Sequence, residues 1–189
     1  MNRLFAAALA GVLCLVGSFP ASAKPVDAST VTCTEMLAIA SAGDSKADSE
    51  SQARIGVMLM WMQGYQAPAD HGTVADVKAI MGDIDRVVAM CTKSPNLGLM
   101  TVTEKLWEGG GEPSSDAVDL STVKCEAMLH TNDADRASMV VWLLGYNAAV
   151  DEDPMFDLDD VGEKVKNLAA YCTENPEIGL VTASSKAEE

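Results

Sequence analysis

The chain has 189 residues, with 28 acidic and 13 basic side chains and a formal net charge of −15 at pH 7. This excess of negative charge repels nucleic acid and anionic membrane surfaces, so we expect neither as a partner. Because protonation of the carboxylates leaves only the basic groups charged, the net charge changes sign at low pH.

Residues 1–23 have the pattern of a secretory signal peptide. Arg3 precedes an apolar stretch, residues 4–17, and the small residues Ala21-Ser22-Ala23 form a cleavage site. The apolar stretch is short for a membrane span. The sequence therefore predicts an exported, periplasmic protein that has no membrane anchor after cleavage.

The rest of the chain consists of two similar halves. Trp61-Met62-Gln63-Gly64-Tyr65 returns as Trp142-Leu143-Leu144-Gly145-Tyr146, and the next cysteine follows the tryptophan by 30 residues in both halves. Such internal similarity indicates a duplicated module. We predict a first domain over residues 24–108, a Gly/Pro/Ser linker over 109–117 that is flexible by composition, and a second domain over 118–189.

The first predicted helix of each half begins beside a cysteine. Thr32 and Glu35 form a capping box in the first half, whereas Lys124 takes the place of Thr32 in the second. The first cysteine lies 28 residues before the tryptophan in one half and 17 in the other. We therefore expect residues Ser41 to Gln52 to form an inserted loop.

Apolar stripes with helical spacing mark the next two helices of each half. Pro95 and Pro176 end the third helices and precede a short fourth helix. No segment alternates with period two, so the predicted fold is all-α, with about four helices in each of two disulfide-stapled domains. The stripes are Met58, Trp61, Tyr65 and Met139, Trp142, Tyr146 in the second helices, and Ile80, Ile84, Val87, Val88, Cys91 and Val161, Val165, Leu168, Ala169, Cys172 in the third.

Gly64 and Gly145 fall at equivalent places inside the second helices. A glycine within a helix costs about 1 kcal/mol relative to alanine. Its presence in both copies predicts a close approach between helices.

Removal of the signal peptide also removes Cys14 and leaves four cysteines. An even number in an exported chain indicates disulfides. Of the three possible pairings, the repeat favours Cys33 with Cys91 and Cys125 with Cys172. The wide spacing of the cysteines argues against a zinc site.

The sequence offers no catalytic pattern. His71 and His130 occupy non-equivalent positions, and neither belongs to a recognisable Ser/Cys–His arrangement. The acidic runs 151–153 and 157–160 lack the central glycine and final glutamate of a calcium loop. We expect no enzyme activity, no metal and no cofactor.

Methionine is abundant, with 11 residues in the chain. Flexible methionines suit surfaces that bind many partners. Met58 lies on the apolar stripe and is expected in the core, whereas Met60 and Met62 fall off it and are expected on an adaptable surface. The candidate client-binding residues are Met58, Met60, Trp61, Met62, Tyr65, Met139, Trp142 and Tyr146.

Two motifs have a family likeness: Thr32-Cys33-Thr34-Glu35-Met36-Leu37 and Tyr171-Cys172-Thr173-Glu174-Asn175-Pro176. Together with the Trp that precedes Gly-Tyr in each half, these motifs resemble those of the HdeA/HdeB periplasmic acid-stress chaperones. The resemblance covers nearly the whole predicted mature chain, once in each half. The resemblance implies small helical domains with one disulfide each, which dimerise near neutral pH. At acid pH such domains separate, partly unfold and hold denatured proteins in solution. Unlike the single-domain members, this chain has two copies, and it ends in Lys186-Ala187-Glu188-Glu189 rather than a basic tail.

The leading hypothesis is an ATP-independent chaperone that exposes apolar surface at low pH, with acid-unfolded periplasmic proteins as partners. The alternative is a specific periplasmic inhibitor of the immunity type, which would bind one folded partner tightly at neutral pH. Because the family pairs two chains, the two copies here are expected either to form an internal pseudo-dimer or to associate with another molecule of the chain.

Overall fold

The computed structural model describes residues 25–41, 48–70, 72–107, 113–158 and 160–187. Within these residues the chain folds into eight α-helices, four in each copy, with a few very short strands. The all-α prediction is therefore confirmed. The predicted signal peptide and His71 lie outside the described residues.

Each copy contributes two strands and four helices in the same order. The first contains β1 (Val26–Asp27), α1 (Cys33–Ser41), α2 (Asp48–Asp70), β2 (Val74–Ala75), α3 (Val77–Lys93) and α4 (Leu99–Trp107). The second contains β3 (Val118–Asp119), a 3-10 turn (Leu120–Thr122), α5 (Cys125–Leu129), α6 (Asp133–Val150), β4 (Met155–Phe156), α7 (Val161–Glu174) and α8 (Leu180–Lys186).

The prediction that the chain has no sheet is wrong. β1 pairs with β4 and β2 pairs with β3, both antiparallel, so that each two-stranded sheet joins one copy to the other. Each strand has two residues, and such a length is too short to show a period-two alternation in the sequence.

The extra residues of the first copy lengthen its helices. α1 has nine residues against five in α5, and α2 has 23 against 18 in α6. The predicted loop, Ser41–Gln52, is therefore too long at both ends. Ser41 is the last residue of α1, and Asp48 is the first residue of α2. Residues 42–47 lie outside the described residues.

The capping of the first helices agrees with the prediction. The main-chain N–H of Thr32 donates to a carboxylate oxygen of Glu35 at 2.7 Å, and the main-chain N–H of Glu35 donates back to the Thr32 hydroxyl at 3.3 Å. Lys124 makes no side-chain cap bond to α5. The capping box is thus present in one copy and absent in the other.

Both predicted disulfides are confirmed, as Cys33–Cys91 and Cys125–Cys172. All four cysteines are fully buried, and each bridge ties the start of a copy's first helix to the end of its third. In the chain-entropy account a bridge over a loop of this length contributes about 4 kcal/mol.

One continuous apolar core contains residues from both copies. Its centre is the contact between α2 and α6, the two longest helices of the described residues, and the other helices pack around this pair. The third-helix stripes face the core, with Ile80, Val87, Val161 and Leu168 buried. None of the described helices combines the length and apolar character that a bilayer span requires.

Candidate functional site

The two copies meet where α2 crosses α6, and glycine makes this crossing possible. A Cβ atom added to Gly64 would overlap the main-chain carbonyl oxygen of Trp142, and one added to Gly145 would overlap that of Trp61. Only a residue without a side chain allows the two backbones to lie so close. The predicted close approach is therefore confirmed, and it occurs between the copies.

The two tryptophans on either side of this crossing are almost completely buried. Trp61 is 1% exposed and Trp142 is 0% exposed. Each stacks on the tyrosine one helical turn further along, with ring centroids 5.1 Å apart for Trp61 and Tyr65 and 5.5 Å for Trp142 and Tyr146. Both tyrosines are partly buried.

The methionines of α2 are also buried. Met58, as expected, lies in the core, but the expectation that Met60 and Met62 form a surface is wrong for the folded chain, because they are 4% and 0% exposed. α2 packs on α1, α3, α4 and α6, so it is covered on several faces and not along one stripe. Met139 is partly buried.

A polar network, which the sequence analysis missed, crosses the interface. The indole Nε1–H of Trp142 donates to Oε1 of Gln63 at 3.1 Å, and the main-chain N–H of Asp76 donates to the same oxygen at 3.3 Å. The only hint in the sequence is that Gln63 interrupts an apolar helix where the second copy has Leu144.

Asp76 forms hydrogen bonds that connect the segment between the copies to the first copy. Its carboxylate accepts from the main-chain N–H of Ala79 at 3.0 Å, which caps α3, and from the main-chain N–H and hydroxyl of Ser114 at 2.7 and 2.8 Å. Lys78 and Asp116 form an exposed ion pair nearby, at 3.1 Å. Ser114 and Asp116, in the described part of the predicted linker, thus contact the first copy, whereas residues 109–112 lie outside the described residues.

Two carboxylates at the junctions between the copies have lowered pKa values. Burial raises the pKa of Asp76, but the hydrogen bonds from Ala79 and Ser114 together outweigh it and lower the pKa below its ordinary value. The pKa of Asp119, on β3, is lowered by hydrogen bonds from Thr73 and Ser121. The Thr73 hydroxyl, which belongs to the first copy, donates to the Asp119 carboxylate at 2.6 Å. At both junctions these hydrogen bonds favour the ionised form of the carboxylate.

The other candidate residues that the sequence analysis considered are His130 and the acidic side chains. His130 is exposed at the end of α5. Among the residues that the structure describes, no group of three or more His, Cys, Asp or Glu side chains is placed to hold a metal ion. The candidate client-binding residues thus all lie in or against the one apolar core that the two copies share, with Trp61 and Trp142 at the α2–α6 crossing.

Both copies of the chain match a model of a known protein family. A model described as "HdeA: HdeA/HdeB family" matches residues 4–101 and again residues 111–182. Comparison with curated proteins and with solved structures gives no match. The two matched ranges correspond to the two copies that the repeat and the fold define.

Proposed function

Since the chain belongs to the HdeA/HdeB family, which is known for periplasmic acid-stress chaperones, we propose that it is a periplasmic, ATP-independent chaperone activated by acid. Its clients are proteins that unfold when the periplasm becomes acidic. It acts by binding their exposed apolar segments and preventing aggregation, and it needs no cofactor.

The observation that carries this proposal is that the candidate client-binding residues belong to one apolar core that the two copies share. Five of the eight, Met58, Met60, Trp61, Met62 and Trp142, are less than 5% exposed, and the other three are partly buried. A surface of this composition is suited to varied apolar clients, because methionine and aromatic side chains adapt to differently shaped partners. In the folded chain it is covered, so client binding requires this core to open as the copies separate.

The charges at the junctions between the copies support acid as the trigger. Because the pKa values of Asp76 and Asp119 are lowered in the fold, their contribution to stability is present above their unfolded pKa. It is lost as the pH falls through the folded pKa. Protonation thus weakens the attachment of Ser114 to α3 and of β3 to the first copy. The accompanying change to net positive charge adds repulsion within the chain.

The disulfides and the tandem arrangement make the opening reversible in this proposal. The bridges Cys33–Cys91 and Cys125–Cys172 keep each copy compact after the interface opens. The covalent connection keeps the copies at an effective concentration on the order of millimolar. The copies therefore come together again, and release clients, when the pH rises.

Light scattering tests the proposal directly. An acid-labile enzyme is brought to about pH 2.5 and to pH 7 with mild heating, alone, with this chain, and with an unrelated acidic helical protein at equal mass. We expect suppression of aggregation by this chain only in acid. Equal suppression at both pH values, or none in acid, would contradict the proposal. A tight complex with one folded periplasmic protein at pH 7 would support the inhibitory alternative.

A further inference from the structure

The two short sheets that join the copies occupy equivalent places in the repeat. At β2–β3 the main-chain N–H of Leu120 donates to the carbonyl of Thr73, and at β1–β4 the main-chain N–H of Ala28 donates to the carbonyl of Pro154, both at 2.9 Å. We call the surroundings of β2–β3 the linker side of the molecule and those of β1–β4 the N-terminal side. Any chemical difference between the two sides is therefore a difference between matched contacts.

The linker side is held by carboxylates that accept hydrogen bonds across the junction. Asp119 accepts from the Thr73 hydroxyl of the first copy at 2.6 Å. Asp76 accepts from the main-chain N–H and the hydroxyl of Ser114, in the segment that leads into β3. Because hydrogen bonds to an ionised acceptor are stronger than those between neutral groups, these contacts weaken when the carboxylates are protonated.

The N-terminal side lacks the donor that makes the bond from Thr73. Pro154 takes the place of Thr73 and has no hydroxyl group. Asp27 takes the place of Asp119, and its carboxylate accepts from the main-chain N–H and the hydroxyl of Ser29 at 3.0 and 2.6 Å, within its own copy. Protonation of Asp27 therefore weakens a turn of the first copy and not a contact between the copies.

An apolar contact joins the copies on the N-terminal side instead. The ring of Phe156, on β4, lies 5.3 Å from the ring of Trp61 of the first copy. The equivalent residue of β2 is Ala75, which has no ring. The attraction between buried rings does not depend on ionisation, so this contact persists at a pH where the bonds of the linker side weaken.

The tryptophans of the crossing are coupled to different sides. The indole N–H of Trp142 and the main-chain N–H of Asp76 donate to the same oxygen of Gln63, so Trp142 is connected to the linker side. Trp61 packs on Phe156 of the N-terminal side. A loosening of one side should therefore be reported by its own tryptophan.

Other charged groups surround both sides. On the linker side, Lys78 and Asp116 form an ion pair at 3.1 Å whose side chains are 51% and 64% exposed, so it contributes little. His71 precedes Thr73 by two residues and lies outside the described residues. On the N-terminal side, a cleft beside Trp61 is lined by four carboxylates and one ammonium group: Asp151, Asp153, Asp157, Asp160 and Lys164. Protonation there reduces the repulsion among like charges.

We propose that acid opens the molecule in a fixed order, the linker side first and the N-terminal side at lower pH, so that Trp142 reaches solvent before Trp61. The contact between Trp61 and Phe156 is the hinge about which the copies part. This order rests on the acid opening of the proposed function, and it adds that unfolded clients first meet the Trp142 end of the core. The hydrogen bonds that lower the pKa of Asp76 and Asp119 place the first step below the ordinary pKa of aspartate.

Hydrogen exchange at two equivalent amides tests the order. The residues Leu120 and Ala28 are 0% and 2% exposed, and each amide bridges the copies. Exchange in the disulfide-bonded, ¹⁵N-labelled chain is followed by nuclear magnetic resonance from pH 7 to about pH 2.5, and each rate is divided by that of an unstructured chain at the same pH. We expect the protection of Leu120 to fall at least about ten-fold at a pH where that of Ala28 changes less than about two-fold. The indole N–H of Trp142 should lose protection with Leu120, and that of Trp61 with Ala28.

The possible failures are distinguishable. Loss of protection at both amides at one pH, or at Ala28 first, would overturn the order while leaving the acid opening intact. Full protection of both amides down to about pH 2.5 would contradict the order and the proposed function together.

Asp119→Asn and Asp27→Asn are matched variants, because the two aspartates are equivalent and differ in the bond from Thr73. We expect Asp119→Asn to lower the protection of Leu120 several-fold at pH 7 and to reduce its further loss in acid. Asp27→Asn should leave the pH profile of Leu120 unchanged. Equal effects of the two substitutions on Leu120 would overturn the proposal.

Asp76→Asn and Asp157→Asn form a second matched pair, one on each side. Asp76→Asn should raise the pH at which Leu120 loses protection, because it removes an acceptor that stabilises the linker side above the ordinary pKa of aspartate. Asp157→Asn should leave the profile of Ala28 in place. A rise for Ala28 as large as that for Leu120 would overturn the difference between the sides.

Phe156→Leu tests the hinge, because it removes the ring and keeps an apolar side chain. Near-ultraviolet dichroism at pH 7 verifies that the variant is folded. We expect Ala28 to lose protection at a higher pH than in the wild type, together with Leu120. A profile of Ala28 that is unchanged in the folded variant would show that the ring contact does not hold the N-terminal side, and would overturn the proposal.

Discussion

Gly64 and Gly145 lie on opposite sides of one helix crossing. Gly64 lies against the main-chain carbonyl of Trp142, and Gly145 lies against the main-chain carbonyl of Trp61. The contact is therefore symmetric between the two copies, although the chain is a single polypeptide. A symmetric contact of this kind is how two identical subunits associate about a two-fold axis. The tandem chain reproduces that geometry internally.

Replacement of Gly64 by alanine should break the crossing. The added Cβ overlaps the Trp142 carbonyl, so the helices must move apart, and we expect a loss of at least about 2–3 kcal/mol in the free energy of unfolding. Gly82→Ala in α3 is the control, because a Cβ there meets nothing within 4 Å. It should stabilise by about 1 kcal/mol. Urea unfolding measures both, and similar values for the two variants would contradict the expectation.

Apart from the Thr32–Glu35 capping box, which is a local motif of one copy, the features predicted correctly from the sequence are those that the two copies share. The disulfides, the third-helix stripes and the glycine crossing each appear twice, and a feature that appears twice is distinguishable from chance. The contacts that differ between the copies were missed, such as Trp142 with Gln63 and Asp76 with Ser114. A single hydrogen bond between residues far apart in the chain leaves no periodic pattern. Met60 and Met62 were misplaced because a stripe analysis assumes one buried face, whereas α2 is covered on several.

The hydrogen bond between Trp142 and Gln63 should contribute measurably to the joining of the copies. Gln63→Leu leaves the buried indole N–H without its acceptor, so we expect destabilisation by about 1–3 kcal/mol. The Trp142 indole proton resonance should move upfield, and urea unfolding gives the energy. An unchanged Trp142 resonance would show that this bond is not made in solution.

Asp76 should contribute to stability in a pH-dependent way. Asp76→Asn loses the charge that accepts from Ser114 and Ala79, and we expect a loss of about 1–3 kcal/mol at pH 7. Because the folded pKa of Asp76 is lowered, the wild type loses the same contribution as the pH falls through that value, and the difference between the proteins shrinks.

Urea unfolding of both proteins at pH 7 and at several acid pH values down to about 2.5 measures this difference. The exposed Asp85→Asn in α3 is the control and should have little effect at any pH. A difference between wild type and Asp76→Asn that stays constant over the whole range would exclude Asp76 as an acid-sensitive contact.

The chain should be a monomer at neutral pH, because the interface that would join two copies is already filled internally. The sheets β1–β4 and β2–β3 add a second link between the copies. We expect one sedimentation coefficient over about a hundred-fold range of concentration, and we expect separately expressed halves to bind each other. A shift from monomer to dimer with concentration, or halves with no mutual affinity, would contradict the internal pairing.

Acid should loosen the packing between the copies while the helices persist. Lowering the pH to about 2–3 protonates Asp76 and Asp119 and removes their contribution, so Trp61 and Trp142 become accessible to solvent. We expect binding of an apolar dye and loss of near-ultraviolet dichroism, with much of the far-ultraviolet helix signal retained. Because the disulfides hold α1 to α3 and α5 to α7, reduction before acidification should remove the residual helix as well. Near-ultraviolet dichroism that is unchanged at pH 2, with no dye binding, would rule out this acid opening and with it the exposure of the proposed client surface.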